Sequence, residues 1–580
     1  MFERDQAESG PRGQERLTRL PRALLLAALL SGAILGAFQI ANTSIGWHLA
    51  SGRFIIEHRS FLHADPFTFT AAGTPWVDHE WLFQMIAATA DALGGAPLLV
   101  FLRMAMVATL AGLLLLIGVR SGLSPTAALV LSVLCVAGAR PRFFLRPELA
   151  TLVVVPAVTW LYISRMRRRS WWWLGAIAGL VALGVNAHGG ALLLPFLLGG
   201  LLAARTLQMV FTANRSWGEF ASGAAAVAVS ALAVLANPYG WRLYAVPFRL
   251  AKLVGQPHIP NPEWVAPSLT AWPSLYVAIV VAVLVLILKE RRAEPWALLL
   301  MASALALRHV RNLGLFFVLL PLALAPALAR WPALAEKAER VDSAVRRQRA
   351  LGVALALILA LALAAGPRPP FGFSFAEDYY PEAACSFLDR EGLPDGKLYN
   401  DVRFGGYLIN RYYPPRTVFL DDRNEIHEPL LREFWEIFRR SDVTAWNTLL
   451  AGYGIDTALV RYHPTTRVLT PDGRDLGERG FSALWFPAGD WALVYWDDVA
   501  MVLVRRDAAP PGLLERSEYH VLRPDDFINL ESRLAVDEDL RPTAAAELRR
   551  ALREAPHSQR AQRLSAFLAD LDSGGGVTGP

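Results

Sequence analysis

Residues 11–40 read PRGQERLTRLPRALLLAALLSGAILGAFQI. A cluster of arginines gives way to an unbroken apolar run from Ala23 to Ile40. A secretory leader starts in a similar way. This run, however, follows a tail (residues 1–22), has no clear A-x-A cleavage site, and is succeeded by many more apolar runs. It is therefore read as a retained first span, and that reading decides the class: a polytopic α-helical membrane protein.

The composition agrees. Of 580 residues, 54% are hydrophobic and only 19% charged, against about 25% charged in soluble domains. The net charge of +6 would suit a nucleic-acid partner, but Lys and Arg cluster in short segments between apolar runs, as in cytoplasmic loops. Nucleic-acid binding is excluded on that distribution. The two cysteines, Cys135 and Cys385, offer neither a CxxC spacing nor a structural disulfide.

A bilayer core takes about twenty apolar residues per helix, and roughly eleven candidates follow from that rule. They lie near 23–40, 97–118, 125–139, 149–164, 171–186, 190–204, 219–236, 271–288, 295–308, 312–329 and 350–366. The basic segments PRGQERLTRLPR, RMRRRS, KERRAEP and 330–349 alternate correctly with these runs if the N-terminus is cytoplasmic. An odd number of spans then places everything after residue 366 outside. The expected layout is a cytoplasmic tail (1–22), a multi-span domain (23–366) whose first external loop covers 41–96, an extracytoplasmic α/β domain (367–508), and a helical tail (509–580) with a disordered end. The expected location is the cytoplasmic membrane of a bacterium.

In the α/β segment, KLYN, TVFLDD, IDTALVRY, WALVYWD and AMVLVRR read as strands, the last two as a hairpin split by Asp497 and Asp498. LREFWEIFRR and VTAWNTLLAGYG read as intervening helices. The tail sequences AAAELRRALREAP and SQRAQRLSAFLADL resemble tetratricopeptide-like helices. Such a unit cannot bury its apolar face alone, so it is expected to pack on the α/β domain and to offer a surface for a protein partner.

Under this topology the polar motifs collect on the outer side. TPWVDHEWLFQM (74–85) sets Asp78, His79 and Glu80 between two tryptophans, and RPRFFLRPE, NAHGG, NPYGW, NPEWVAP and RHVRN face the same way. Ionisable groups at membrane depth mark functional cavities. Asp78, His79, Glu80, Arg142, Arg146, His188, Arg308 and Arg311 would line one, with carboxylates as bases and guanidiniums for a phosphate. Plainer roles exist for each. Trp76 and Trp81 suit interfacial anchoring, and Asp78 a cap. Glu80 suits the dipole of a first helical turn. Asn186 and His188 suit interhelical hydrogen bonds; Arg308 and Arg311 suit snorkelling.

The stretch GWHLASGRFIIEHRSFLHADPFTFTAAGTPWVDHEWL, with its W-H-L, D-P-F and H-E-W-L pattern, resembles the first external loop of a bacterial branch of GT-C-type integral-membrane glycosyltransferases. The likeness continues through NAHGG, NPYG, EW and the outer arginines. NDVRFGGYLINRYYPPRTVFLDDRNEIH is distantly similar to the WWDYGY…DNN region of oligosaccharyltransferase catalytic subunits. The resemblance implies a polyprenyl-phosphate sugar as donor, and an envelope glycan, lipid or protein as acceptor, at the outer membrane face. It implies a base among Glu80, Asp78 and Asp65. His48, His79, Arg142, Arg146, Asn186, His188, Arg308 and Arg311 would hold donor phosphate and sugar. On the acceptor side it points to Asp401, Arg403, Asp421 and Arg423, although salt-bridging is the simpler role for the Asp421–Asp422–Arg423 trio.

Two departures stand out. The family carries an acid just past the first span, about four residues before His48, where this chain has Ser44. The WWD triplet is also missing, so an asparagine-sequon acceptor is not carried over. No cofactor is required by the residues; three acids in one loop leave room for a divalent metal, but no D-x-D motif supports one there. The alternatives are a catalytically inactive scaffold of the cell envelope, favoured by Ser44, and a lipid or sugar transporter, disfavoured by the lack of inverted repeats.

Overall fold

The computed structural model describes residues 20–166, 171–212, 216–259, 261–347, 349–364, 370–392, 397–469 and 475–573. The cytoplasmic tail up to residue 19, the basic loop at 167–170, the exit at 365–369 and the expected disordered end at 574–580 lie outside the described residues. The chain forms two compact units. One comprises Met1–His63, Trp76–Gln256 and Pro260–Ser374; the other comprises Ala64–Pro75, Pro257–Ile259 and Phe375–Pro580.

The first unit is helical. Every apolar run of the sequence is a helix: Arg22–Gly36, Trp81–Arg120, Pro125–Ala139, Glu148–Arg165, Trp172–Ala187, Leu193–Phe211, Trp217–Val234, Pro273–Lys289, Ala293–Arg308, Leu313–Ala329 and Arg349–Ala364. Among the described residues only five stretches are both long and apolar enough to cross a membrane: Trp81–Arg120, Glu148–Arg165, Gly189–Phe211, Trp217–Val234 and Val310–Ala329. Length and composition therefore do not support about eleven spans. The reason is reach. Arg22–Gly36, Trp172–Ala187 and Pro273–Lys289 have 15, 16 and 17 residues, so at about 1.5 Å per residue each falls short of a hydrocarbon core of about 30 Å.

Local chemistry sets the helix ends. Ser124 accepts the Ala127 N–H (3.3 Å) ahead of Pro125, which opens the next helix. Ser216 likewise accepts from Glu219 N–H (3.3 Å). The helix Trp81–Arg120 is broken at Gly95, where φ is 58° and Pro97 follows, so its N-terminal part is a separate segment carrying the end of the expected first loop. The expected loop 41–96 is itself ordered: Ile45–His58 is a helix, and Ala64–Pro75 belongs to the second unit.

The second unit centres on a four-stranded sheet, order β1-β2-β6-β5, built from β1 (Lys397–Asn400), β2 (Ile455–Arg461), β5 (Trp491–Trp496) and β6 (Ala500–Arg505). β1 runs parallel to β2, with Asn400 opposite Leu459. Parallel pairing demands a long crossover, supplied by helices Val402–Tyr412, Asn424–Arg440 and Val443–Tyr453. β5 and β6 form the expected hairpin; Asp497 Oδ1 accepts the N–H groups of Val499 (2.7 Å) and Ala500 (2.8 Å) and closes its turn. A separate ribbon pairs β3 (Thr466–Leu469) with β4 (Asp475–Arg479). The TVFLDD run is not a strand. Val418 makes one isolated bridge to Thr68, and Asn400 takes the remaining pairings, its amide bonding Phe419 N–H (2.9 Å) and Leu420 O (2.8 Å). Side chains of the tail helices Arg541–Glu554 and Gln559–Asp572, among them Leu548, Leu564 and Leu568, share one apolar core with the sheet residues Leu493 and Leu503.

Candidate functional site

Glu80 is the residue immediately before helix Trp81–Arg120, and its side chain does not cap that helix. A carboxylate there is favoured by the free N–H groups and dipole of the first turn. Three imidazoles converge on it. His48 Nδ1 lies 3.7 Å from one carboxylate oxygen, and His79 Nε2 and His188 Nε2 each lie 3.6 Å from the other. These separations are just beyond hydrogen-bond reach, as catalytic contacts often are before substrate tightens them.

Each imidazole is placed by its own element. His48 is on the buried face of helix Ile45–His58, its ring 3.7 Å from that of Trp47 and edge-on to Phe83. His79 donates Nδ1–H to Val77 O (3.2 Å), which turns its Nε2 towards Glu80. At His188 it is Nδ1 that accepts. Gly190 N–H donates to its Nδ1 (3.1 Å), and Thr151 Oγ1 is 2.7 Å from the same atom, so the ring proton sits on Nε2 and faces Glu80. Burial, reinforced by His79, Arg311 and Arg142, holds the His188 pKa well below the usual imidazole range, which keeps it a neutral donor. The glycines of NAHGG are steric requirements. A Cβ on Gly189 would lie 2.7 Å from the His79 ring, and one on Gly190 2.7 Å from Thr151 Oγ1.

A second cluster gathers the arginines. Arg142 pairs with Glu148 (2.6 Å) and Glu263 (3.1 Å), and Arg146 with Glu263 (2.8 Å). Asn261 accepts the Glu263 N–H (2.9 Å). His309 Nδ1 bonds Trp264 O (2.7 Å) and Val310 N–H bonds Val265 O (2.9 Å), zipping the NPEW turn to the RHVRN turn. Arg311 lies within electrostatic reach of both Glu263 and His188, and no carboxylate among the described residues is within ion-pair distance of it. Burial would raise the Glu263 carboxyl; Arg146, Arg142 and then Arg311 overcome this and pull it down to about 2. Three guanidiniums thus face two carboxylates, leaving a positive surplus beside Glu80.

The remaining candidates are distributed as follows. Asp78 is buried and accepts from Gln84 Nε2 (2.6 Å). Asn186 spends its amide on packing: Trp81 Nε1 donates to it (2.7 Å), and it donates to Ala182 O and Ala236 O (2.7 Å each). Arg308 is exposed at the end of its helix. In the second unit, Asp65 and Asp421 share Arg423, whose Nη2 reaches Asp65 and whose Nε reaches Asp421, both at 2.8 Å. Asp401 caps helix Val402–Tyr412 through Arg403 N–H (3.0 Å) and pairs with Arg461 (3.2 Å) and His463 (2.7 Å); the Arg403 side chain is exposed. Gly405 of that helix lies against the backbone of Leu420 and Asp421, where a Cβ would collide. Among the described residues no three His, Cys, Asp or Glu side chains are arranged to hold a metal ion.

Sequence reasoning quotes Glu148 and Glu263 within the motifs RPRFFLRPE and NPEWVAP without giving either a role, and it gives none to Asn42. Glu263 has a signal: it is the first acid after Glu219, alone in a long basic stretch between apolar runs. Asn42 stands near the place where the family acid is expected. Its Oδ1 accepts from Ser44 N–H (3.0 Å), Ser44 Oγ–H (2.9 Å) and Arg146 Nε–H (3.0 Å), and its Nδ2 donates to Leu145 O (2.9 Å).

No family model matches the chain, and no curated protein matches it in sequence. Solved structures do match in fold. The apo oligosaccharyltransferase of Archaeoglobus fulgidus superposes with a TM-score of 0.51 at 11% identity, covering 78% of this chain and 74% of that one. The oligosaccharyltransferase AglB from the same organism, in complex with an inhibitory peptide and a dolichol-phosphate, gives a TM-score of 0.57 at 11% identity over 88% of this chain and 82% of that chain. The fold is that of oligosaccharyltransferases, a helical unit of apolar helices joined to an α/β C-terminal unit.

Proposed function

We propose that the protein is a GT-C-type glycosyltransferase of the bacterial cytoplasmic membrane. It would cross that membrane through its long apolar helices and transfer a sugar from a polyprenyl-phosphate donor to an envelope acceptor at the outer face. The observation that carries this reading is the adjacency of two unlike clusters: a carboxylate ringed by three imidazoles, and arginines whose charge exceeds that of their carboxylate partners. Glu80 takes the proton of the acceptor hydroxyl or amine as that atom bonds to the sugar's anomeric carbon. The bond from that carbon to the donor phosphate breaks, and the lipid phosphate leaves with the electron pair. His188 holds Glu80 by its Nε2–H, and Arg142, Arg146 and Arg311 stabilise the departing phosphate. The AglB neighbour, held with a dolichol-phosphate, supports a lipid-phosphate donor by analogy of fold.

The test uses protein purified with its native lipids. A co-purifying polyprenyl phosphate, sugar release by wild type, and loss of release in Glu80→Gln and Arg311→Ala are expected. Absence of lipid phosphate together with unchanged behaviour of both variants overturns the reading. One observation favours a non-catalytic envelope scaffold instead: the expected acid position is filled by Ser44 and Asn42, whose neutral amide bonds Arg146. In that case lipid would bind and no sugar would be released.

A further inference from the structure

The geometry points to an anionic membrane surface as the partner of the segment Asn237–Gln256, which seats the short helix Val246–Leu253 among phospholipid headgroups beside the bundle. This inference rests on the membrane reading of the helices and not on sugar transfer.

Three observations carry it. The segment is confined near the bilayer by its anchors. It follows helix Trp217–Val234, one of the five stretches long enough to cross, and Tyr244 O–H donates to Ala231 O (2.6 Å), tying the segment back to the last turn of that helix. Its charge has one sign. From Phe220 to Pro262 the chain has no Asp or Glu, whereas Arg242, Arg249 and Lys252 are all present and exposed. Its helix is two-faced. Val246, Leu250 and Leu253, at i, i+4 and i+7, are half-buried against the protein, while Phe248 is 68% exposed on the same side as exposed Arg249 and Lys252, and Trp241 is 73% exposed just upstream. No residue of this helix is fully buried. An aromatic side chain flanked by cations matches the boundary between acyl chains and negatively charged headgroups, where the ring enters and the cations stay at the phosphates. The same loop continues to Glu263, so lipid contact at Phe248 would steady the turn that neutralises Arg142 and Arg146.

The test places a fluorophore on Phe248→Cys in the full-length protein. Cys135 and Cys385 are buried, so the label is site-specific. Trp241→Cys serves as a second position, and Val536→Cys, 87% exposed in the second unit, as the aqueous reference. The protein is reconstituted in phosphatidylcholine bilayers with or without about one third phosphatidylglycerol. Labels at 248 and 241 are expected to be quenched by lipid-borne nitroxide at least about threefold more than at 536, and shielded from iodide. Phosphatidylglycerol should increase that quenching, and Arg249→Glu with Lys252→Glu should remove the increase. Free access of iodide at both positions overturns the proposal. So does protection from both quenchers, which would mean that protein covers the segment.

Discussion

Replacing Arg423 with methionine separates a structural from a chemical role for Asp65, and its size can be worked from the contacts. The guanidinium is buried, bonds Asp65 and Asp421 at 2.8 Å each, and lies 5.2 Å from the centre of the Phe67 ring. Methionine keeps the apolar stem and removes the charge, stranding two buried carboxylates. Breaking such a pair costs about 3–5 kcal/mol. A unit of this size loses about 2–4 °C of melting temperature per kcal/mol, so a drop of about 10 °C is expected. Burial alone would raise the Asp421 carboxyl; Arg423 and then His427 override it and hold it far below the usual carboxylate range. In the wild type this stabilisation is present above about pH 4 and is lost as pH falls towards the depressed value. Without Arg423 burial is opposed at Asp421 by His427 alone, so that carboxyl takes up a proton more readily, and the deficit should be largest near pH 7 and shrink towards pH 5. Cys385, buried in the same unit, reports opening through capture of its thiol during a thermal ramp. A melting temperature within about 2 °C of wild type, or a deficit that does not change with pH, would refute the argument.

Glu80→Gln removes the base while keeping the shape, and sugar release should fall by about 10²–10⁴-fold with melting unchanged; release within threefold of wild type would exclude Glu80 as base. Gly189→Ala puts a Cβ 2.7 Å from the His79 ring. Since the His79 side chain is 17% exposed, it can swing outwards, so stability should change by about 1 kcal/mol or less while release falls about 10²-fold from misplacement of the ring. Glu263 is pulled down to about 2, so its ion pairs are intact at every pH above about 4 and weaken only as pH falls below that; binding of a short prenyl phosphate should owe no pH dependence to it between about pH 5 and pH 9. Glu263→Gln should tighten that binding on the order of tenfold, read by titration calorimetry, because one of two carboxylates facing the three arginines is gone.

Hydrophobic runs are the most readable part of the chain, since a helix in lipid must be apolar over most of its length. Each run located in the sequence is a helix; what composition does not reveal is that several, such as Trp172–Ala187, stop short of a bilayer's thickness. The sheet is legible where a strand is buried on both faces, as in AMVLVR, all but the last residue of which is buried. TVFLDD misleads because β-branched and aromatic residues can be buried by an extended loop as well as by a ladder, and here Asn400 supplies the bonds a neighbouring strand would have made. At the site, residue type and side of the membrane alone single out His48, His79, Glu80 and His188. The approach of His188 to Glu80, and the entry of Glu263 between Arg142 and Arg146, depend on contacts between residues more than a hundred positions apart, which local pattern cannot encode. Asn186 looks available in the sequence and is in fact saturated by packing bonds.

The excursion of Ala64–Pro75 into the second unit bears on how the polypeptide is made. Asp65 leaves the ribosome 358 residues ahead of Arg423, so the early loop must wait, its acid solvated, through synthesis of the whole helical bundle. Only when the last portion has been made can that loop be threaded in and the ion pair closed. For the same reason a fragment beginning at Phe375 would lack an internal part of its own architecture, and supplying the dodecapeptide 64–75 in trans should restore what the cut removed.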